Sequence, residues 1–207
     1  MKKTMSKSGN PKSGKVQKLP QQSISKNGGK QRARMHPTRI DLPEQNRDQV
    51  CEILNDALAE TLDLKTQVKQ AHWNVKGVHF YQLHLLFDEM ASELEEFVDL
   101  VAERVTTLGG TAMGTVRMAA DKTTLPDYPT DILEGMDHVV ALADRYAQYG
   151  ESVRENIDVT DHLQDKDTAD IFTEISRQID LRLWFLEAHL QAESATRETR
   201  MAAKPKR

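Results

Sequence analysis

Apolar residues begin to recur at three- and four-residue intervals from Val50. Val50, Ile53, Leu54, Ala57, Leu58, Leu62 and Val68 form one stripe and predict a buried helix face. Asp41-Leu-Pro-Glu44 precedes that stripe, with Asp41 expected as the N-cap, Pro43 in the first turn and Glu44 three residues on. Gly77 breaks the run. A second stripe of Leu83, Leu86, Phe87, Met90, Leu94, Phe97, Val101, Val105 and Leu108 predicts a helix from about His79 to Leu108, stopped by Gly109-Gly110. A short helix is expected over Thr115 to Asp121, and a loop around Pro126 and Pro129. Two more helices are expected, from near Asp131 to about Asn156 and from about Asp165 to Glu193. The last contains Leu181-Arg-Leu-Trp-Phe-Leu186, read as a core stretch that buries Trp184. Almost nothing alternates with period two. The expected fold class is therefore all-α, a four-helix bundle with a short extra helix between helices 2 and 3.

Charge divides the 207 residues into three parts. Residues 1–40 hold eleven basic residues and no Asp or Glu, and residues 197–207 hold five basic residues against Glu198. Residues 41–196 keep 12 basic and 31 acidic residues, a net charge of −19 that the overall value of −4 hides. Three segments are expected: a disordered basic tail over 1–38, the bundle over 39–195 and a short basic C-terminal tail over 196–207. The first has too few apolar residues to offset its ordering entropy. There is no apolar run long enough for a membrane span and no secretory signal, so a cytoplasmic location without membrane attachment is expected. One cysteine, Cys51, excludes an internal disulfide framework and any multi-cysteine zinc module within one chain. It reads as a packed thiol. His79, His138, His162 and His189 have no evident partner set, and His36 lies in the tail near its basic residues.

The second helix carries the candidate chemistry. His84/Asp88 and Asp99/Glu103 are two i,i+4 pairs, each able to grip one ion from one helix face. Projected at 100° per residue, the four cluster ~150° away from the apolar stripe and so do not face the bundle's own core. The pairs cannot serve one ion on one helix, because fifteen residues separate His84 from Asp99, ~22 Å along the axis. An antiparallel copy of the helix would bring Asp99/Glu103 of one subunit opposite His84/Asp88 of another, and a two-fold axis would make two such sites. His72, at the end of the first helix, can reach the site across the Trp73–Val78 turn. Two imidazoles with three carboxylates suit iron, manganese or zinc. The absence of thiolates fits Fe(II) turnover better than a closed structural zinc site. The bland alternative is an ordinary polar helix surface. Glu-x-x-His, the motif of di-iron sites held within one bundle, does not occur in the chain.

His72-Trp-Asn-Val-Lys-Gly77, Phe80, Leu83-His84, Phe87-Asp88, Asp99, and Ala102-Glu-Arg104 leading to Leu108-Gly-Gly110 closely resemble the Dps family, the mini-ferritins known as DNA-binding proteins from starved cells. The likeness runs from about Asp41 to Glu193. It implies a ferritin-like subunit, a hollow dodecamer, and a dinuclear iron site between subunits that oxidises Fe(II), preferentially with hydrogen peroxide, and feeds a ferric mineral inside the shell. His72, His84 and Asp88 would come from one subunit, and Asp99 and Glu103 from its neighbour, with Glu103 as the bridging carboxylate and zinc as a competing occupant. Trp73 resembles the family's site-proximal tryptophan, a possible electron donor, against plain packing as the alternative. The family admits iron through acidic three-fold pores near the start of the last helix. Asp161, Asp165 and Asp170 are the candidates here, although Lys166 interrupts the acidic run. A solvated first turn is the alternative reading of those carboxylates.

Lys2, Lys3, Lys7, Lys12, Lys15, Lys18, Lys26, Lys30, Arg32 and Arg34 are spaced through the N-terminal tail without aromatics. That pattern suits neutralisation of phosphates and not the reading of bases. Family members with such tails bind double-stranded DNA without sequence preference, which implies nucleoid association. A tail of this length reaches ~30 Å, and twelve copies would add avidity. Two rival functions are a non-catalytic nucleoid-compacting shell with a vestigial or zinc-filled site, and a helical interaction module without metal chemistry.

Overall fold

The computed structural model describes the backbone of residues 34–202 and the side chains of residues 34–191. The tail positions from Lys2 to Arg32, and the C-terminal basic side chains, lie outside the described residues. Five helices follow one another: α1 (Glu44–Asn74), α2 (Phe80–Thr107), α3 (Val116–Lys122), α4 (Gly135–His162) and α5 (Lys166–Ala202). Among the described residues the sole β feature is an isolated parallel bridge between Lys76 and Glu134. The expected all-α bundle with a short third helix is what the chain forms.

Hydrogen bonds at the two ends fix the direction of each long helix. At one end, Asn46 Nδ2 near the start of α1 donates to Leu163 O after α4 (2.9 Å), and Arg47 donates to Leu108 O after α2 (2.7 Å). At the other end, Gly135 N at the start of α4 donates to Lys76 O in the α1–α2 turn (3.1 Å). The order is therefore up, down, down, up. The connection from α2 to α4 has to travel the full length of the bundle, the single long crossover of ferritin-like folds. α3 lies on this crossover and packs on α1.

The core is the apolar stripe of each helix turned inward. Leu54, Leu58, Leu64, Leu83, Phe87, Met90, Leu94, Leu142, Tyr146, Tyr149 and Phe172 are fully buried. Each such aliphatic or Phe side chain contributes roughly 1.5–3 kcal/mol of transfer free energy. Polar ties cross between helices: Arg182 of α5 holds Glu93 of α2, Thr61 of α1 meets Tyr149 of α4 (2.6 Å), and Arg145 of α4 donates to Gln67 of α1 and to Asp127 O of the crossover (2.6 Å).

Several helix ends depart from the sequence reading, each for a local reason. α1 starts at Glu44 with extended Pro43 as its N-cap and no side-chain cap, so Asp41 does not cap it. Arg47 instead ties down the entering segment by donating to Leu42 O (3.2 Å). α4 starts at Gly135, not near Asp131, because Lys76 N bonds Leu133 O (3.2 Å) and the Lys76–Glu134 bridge holds that segment extended. It runs past Asn156 to His162, and α5 past Glu193 to Ala202, through sequence with neither Gly nor Pro. Trp184 lies on the outer face of α5, 58% exposed, and is not a core residue.

α2 and α4 end in the same way. After α2, Gly110 N bonds Val105 O (2.9 Å) and Gly109 N bonds Thr106 O (3.0 Å), with Gly109 at φ 91°. After α4, Asp165 N bonds Thr160 O (3.0 Å) and Gln164 N bonds Asp161 O (2.9 Å), with Gln164 at φ 65°. Both are Schellman motifs. Glycine is required at the first, where a Cβ would meet His36 O at 2.4 Å. The second places a glutamine in the left-handed region.

Candidate metal centre

His72 closes α1 and His84 lies in the second turn of α2, so the Val75–His79 turn folds them together. His72 Nδ1 bonds His84 O (2.8 Å), and His84 Nδ1 bonds His72 O (2.9 Å). The rings stack, with centroids 3.8 Å apart and planes 18° from parallel. A carbonyl oxygen only accepts, so each Nδ1 carries the hydrogen. With Nδ1 so engaged, Nε2 is the ring nitrogen that could offer a lone pair to a metal. His72 Nε2 stands 3.9 Å from Asp88 Oδ1. The structure thus pairs His72 with His84 and sets Asp88 near His72.

Asp99 and Glu103 are not brought to them. They are exposed on the same outer side of α2, several turns along. Among the described residues no three His, Cys, Asp or Glu side chains of one chain are grouped to hold an ion. Asp88, Asp99 and Glu103 are exposed on the outer side of α2, while His72 and His84 are partly buried at the α1–α2 turn.

Lys69, one turn before His72, was not singled out from the sequence. Its ammonium sits 2.6 Å from Asp88 Oδ1 and holds that carboxyl below the ordinary carboxylate range, with His72 and His84 adding to the effect. The same ammonium lies 5.9 Å from the Trp73 ring centroid. The i,i+3 spacing of Lys69 and His72 was the available signal; the pairing to Asp88, on another helix, had none. Trp73 is 66% exposed and is not packed within its own subunit.

The pore candidates separate. Asp161 is exposed and pairs with Lys166, and Asp170 is exposed. Asp165 is 2% exposed. It accepts from Arg104 of α2 (2.6 Å), from Thr168 N (3.1 Å) and from the Thr168 hydroxyl (2.6 Å). It is the N-cap of α5 and a buried tie to α2, so it lines no pore. Cys51 is buried, its thiol pushed up to about 11 by burial, in keeping with a packed side chain. His138, without a partner set in the sequence, is buried and bonded to Tyr128 (2.7 Å).

A four-helix bundle with one long crossover is the ferritin-like architecture. The ferritin-like domain family matches residues 51–195. The DNA protection during starvation protein of Agrobacterium fabrum strain C58 is 46% identical over 159 residues, covering 77% of this chain and 98% of that one. Among solved structures, DpsC from Streptomyces coelicolor superposes with a TM-score of 0.72 at 35% identity, covering 75% of this chain and 91% of its own. Mycobacterium smegmatis Dps gives 0.71 at 28% identity, covering 76% and 93%. The chain belongs to the Dps family.

Proposed function

We propose that this chain is a mini-ferritin that oxidises Fe(II) at sites shared between subunits and stores the ferric product inside a hollow dodecamer. Hydrogen peroxide is the preferred oxidant, so peroxide and ferrous iron are consumed together and DNA is spared. One observation carries the reading: His72 stacks on His84 with Asp88 beside it, while Asp99 and Glu103 lie exposed on the outer side of α2, ~22 Å along the helix. Only a second copy, running antiparallel, completes the set. His72, His84 and Asp88 would bind Fe(II) with Asp99 and Glu103 of the neighbour, Glu103 bridging, and Trp73 would donate an electron when iron falls short.

The acidic body suits cation uptake, since wall charges in a low-dielectric shell concentrate cations. Asp161 and Asp170 remain as entry-pore residues. The basic tail, from Lys2 to Arg34, binds double-stranded DNA without sequence preference and keeps the protein at the cytoplasmic nucleoid. Removal of residues 1–34 is expected to abolish DNA retention at low salt; undiminished retention would assign the tail another role.

The deciding experiment is anaerobic Fe(II) oxidation with and without stoichiometric peroxide, on wild type and on His72→Ala/His84→Ala. Fast peroxide-driven oxidation, lost in the double variant, is expected. Equal rates would favour a second reading, a non-catalytic DNA-compacting shell whose site is vestigial or zinc-filled. The Lys69–Asp88 ion pair supports that alternative, because it already satisfies one ligand without a metal.

A further inference from the structure

The crossover holds a pair of side chains that the proposed metal site does not use. The Tyr128 hydroxyl lies 2.7 Å from Nδ1 of His138, and the two rings are 13° from parallel. His138 is 1% exposed, and its Nε2 is buried without a partner. Leaving a polar atom in that state is costly, and an apolar side chain of similar shape would avoid the cost. Of the four tyrosines, Tyr128 alone has its hydroxyl on a base. Tyr149 meets Thr61, the Tyr146 hydroxyl has no partner, and Tyr81 is 66% exposed. Tyr128 also lines, together with Trp73, one open groove of about 390 Å³.

We propose that Tyr128 and His138 form a proton-coupled redox pair that receives an oxidising equivalent from Trp73 and holds it as a neutral tyrosyl radical. The proposal rests on the ferroxidase reading for the origin of that equivalent. Reducing one hydrogen peroxide to two waters takes two electrons and two protons. Where a single Fe(II) supplies one electron, becoming Fe(III), Trp73 supplies the other and becomes a radical cation. Tyr128 then returns an electron to Trp73 and passes its hydroxyl proton to His138 Nδ1. A later Fe(II) gives an electron to the tyrosyl radical, the proton returns from His138, and both side chains are restored. Over the cycle two Fe(II), one peroxide and two protons from solvent become two Fe(III) and two waters.

The surroundings favour each step. Burial depresses the proton affinity of His138, which keeps it neutral and able to accept; neighbouring Asp137 favours the imidazolium and Lys76 opposes it. Burial raises the Tyr128 hydroxyl well above its ordinary value, so the phenol keeps its proton until an electron leaves. The Arg145 guanidinium lies 5.3 Å from the Tyr128 ring centroid and disfavours positive charge there, so oxidation has to expel the proton. With the Tyr128 hydroxyl as donor, Nδ1 accepts through its lone pair and Nε2 carries the ring hydrogen.

The test uses the full-length, iron-free protein with a ruthenium photo-oxidant and freeze-quenched electron paramagnetic resonance. A tyrosyl signal is expected in wild type. It should be lost in Tyr128→Phe, delayed in Trp73→Phe, lost or slowed in His138→Gln, and formed more slowly in heavy water. An unchanged signal in Tyr128→Phe, or no slowing in heavy water, would overturn the pair. Tyr128→Phe keeps the ring, so that arm stands even if His138→Gln does not fold; circular dichroism and particle size report on folding. In a second arm, substoichiometric Fe(II) with peroxide should give the same Tyr128-dependent signal. Iron oxidation without it would overturn the relay from the metal site. No iron oxidation at all would overturn the ferroxidase reading, while the photochemical arm still decides the pair.

Discussion

Replacing Asp165 separates its structural role from the pore role that its position in the sequence suggested. In Asp165→Ala the α5 N-cap disappears, a loss of about 1 kcal/mol. The variant also strands Arg104, whose side chain is 11% exposed. Removing one partner of a fully buried pair costs roughly 3–5 kcal/mol. Arg104 keeps a bond to Thr168 Oγ1 (2.9 Å) and a looser approach to Asp167 (3.7 Å), so that penalty is partly relieved. We expect a total loss of about 3 kcal/mol, the cap and the weakened pair taken together. At about 2–4 °C per kcal/mol for a chain of this size, Tm should fall by roughly 6–12 °C. Asp165→Asn keeps an oxygen for Thr168 N but not the charge, and should lose about 1–2 kcal/mol. The assay is thermal unfolding at fixed protein concentration, because assembly makes Tm depend on concentration. Iron uptake is measured on the same samples below the transition. An unchanged Tm with slowed iron entry would refute the buried-tie argument and return Asp165 to the pore.

Three further outcomes are expected. Gln164→Gly should raise stability by about 1 kcal/mol, since glycine adopts the left-handed C′ position without the Cβ penalty; denaturation curves showing no gain would mean the glutamine side chain supplies a compensating bond. Cys51 should resist thiol reagents at pH 8 in the folded protein and react on unfolding, because burial holds the thiol at about 11; rapid native labelling would contradict its burial. Burial lowers the folded-state proton affinity of His138 below its ordinary value of 6.5, so the unfolded chain binds the extra proton more readily. That contribution to stability is complete above about pH 6.5 and is lost as pH falls below it. His138→Gln should flatten that part of the stability–pH profile, and an unaltered slope would place the dependence elsewhere.

The helices were legible because each needs one apolar stripe, and the stripe of α2 is nearly the list of its buried residues. The outward aim of Asp88, Asp99 and Glu103 followed from the same projection. Local pattern failed where a distant partner decides. Arg104 lies 61 residues from Asp165, and no spacing rule encodes their meeting. The backbone bonds of Lys76 to Leu133 and Gly135 displaced the start of α4 in the same way. Trp184 sits in an apolar run that reads as core, but the run is longer than one helix face can bury. The second half of the proposed metal centre would lie on another copy, so one chain's own contacts could not reveal it.

The crossed bonds between His72 and His84 make the α1–α2 turn and the two imidazoles one latch. Each ring is fastened to the other's main chain, so neither can swing away while the hairpin stays shut. Fraying of the hairpin by even one turn would release both at once. An ion gripped by the two Nε2 atoms would therefore clamp the hairpin, slowing amide hydrogen exchange from Trp73 to Phe80 well before it reached the far ends of the helices.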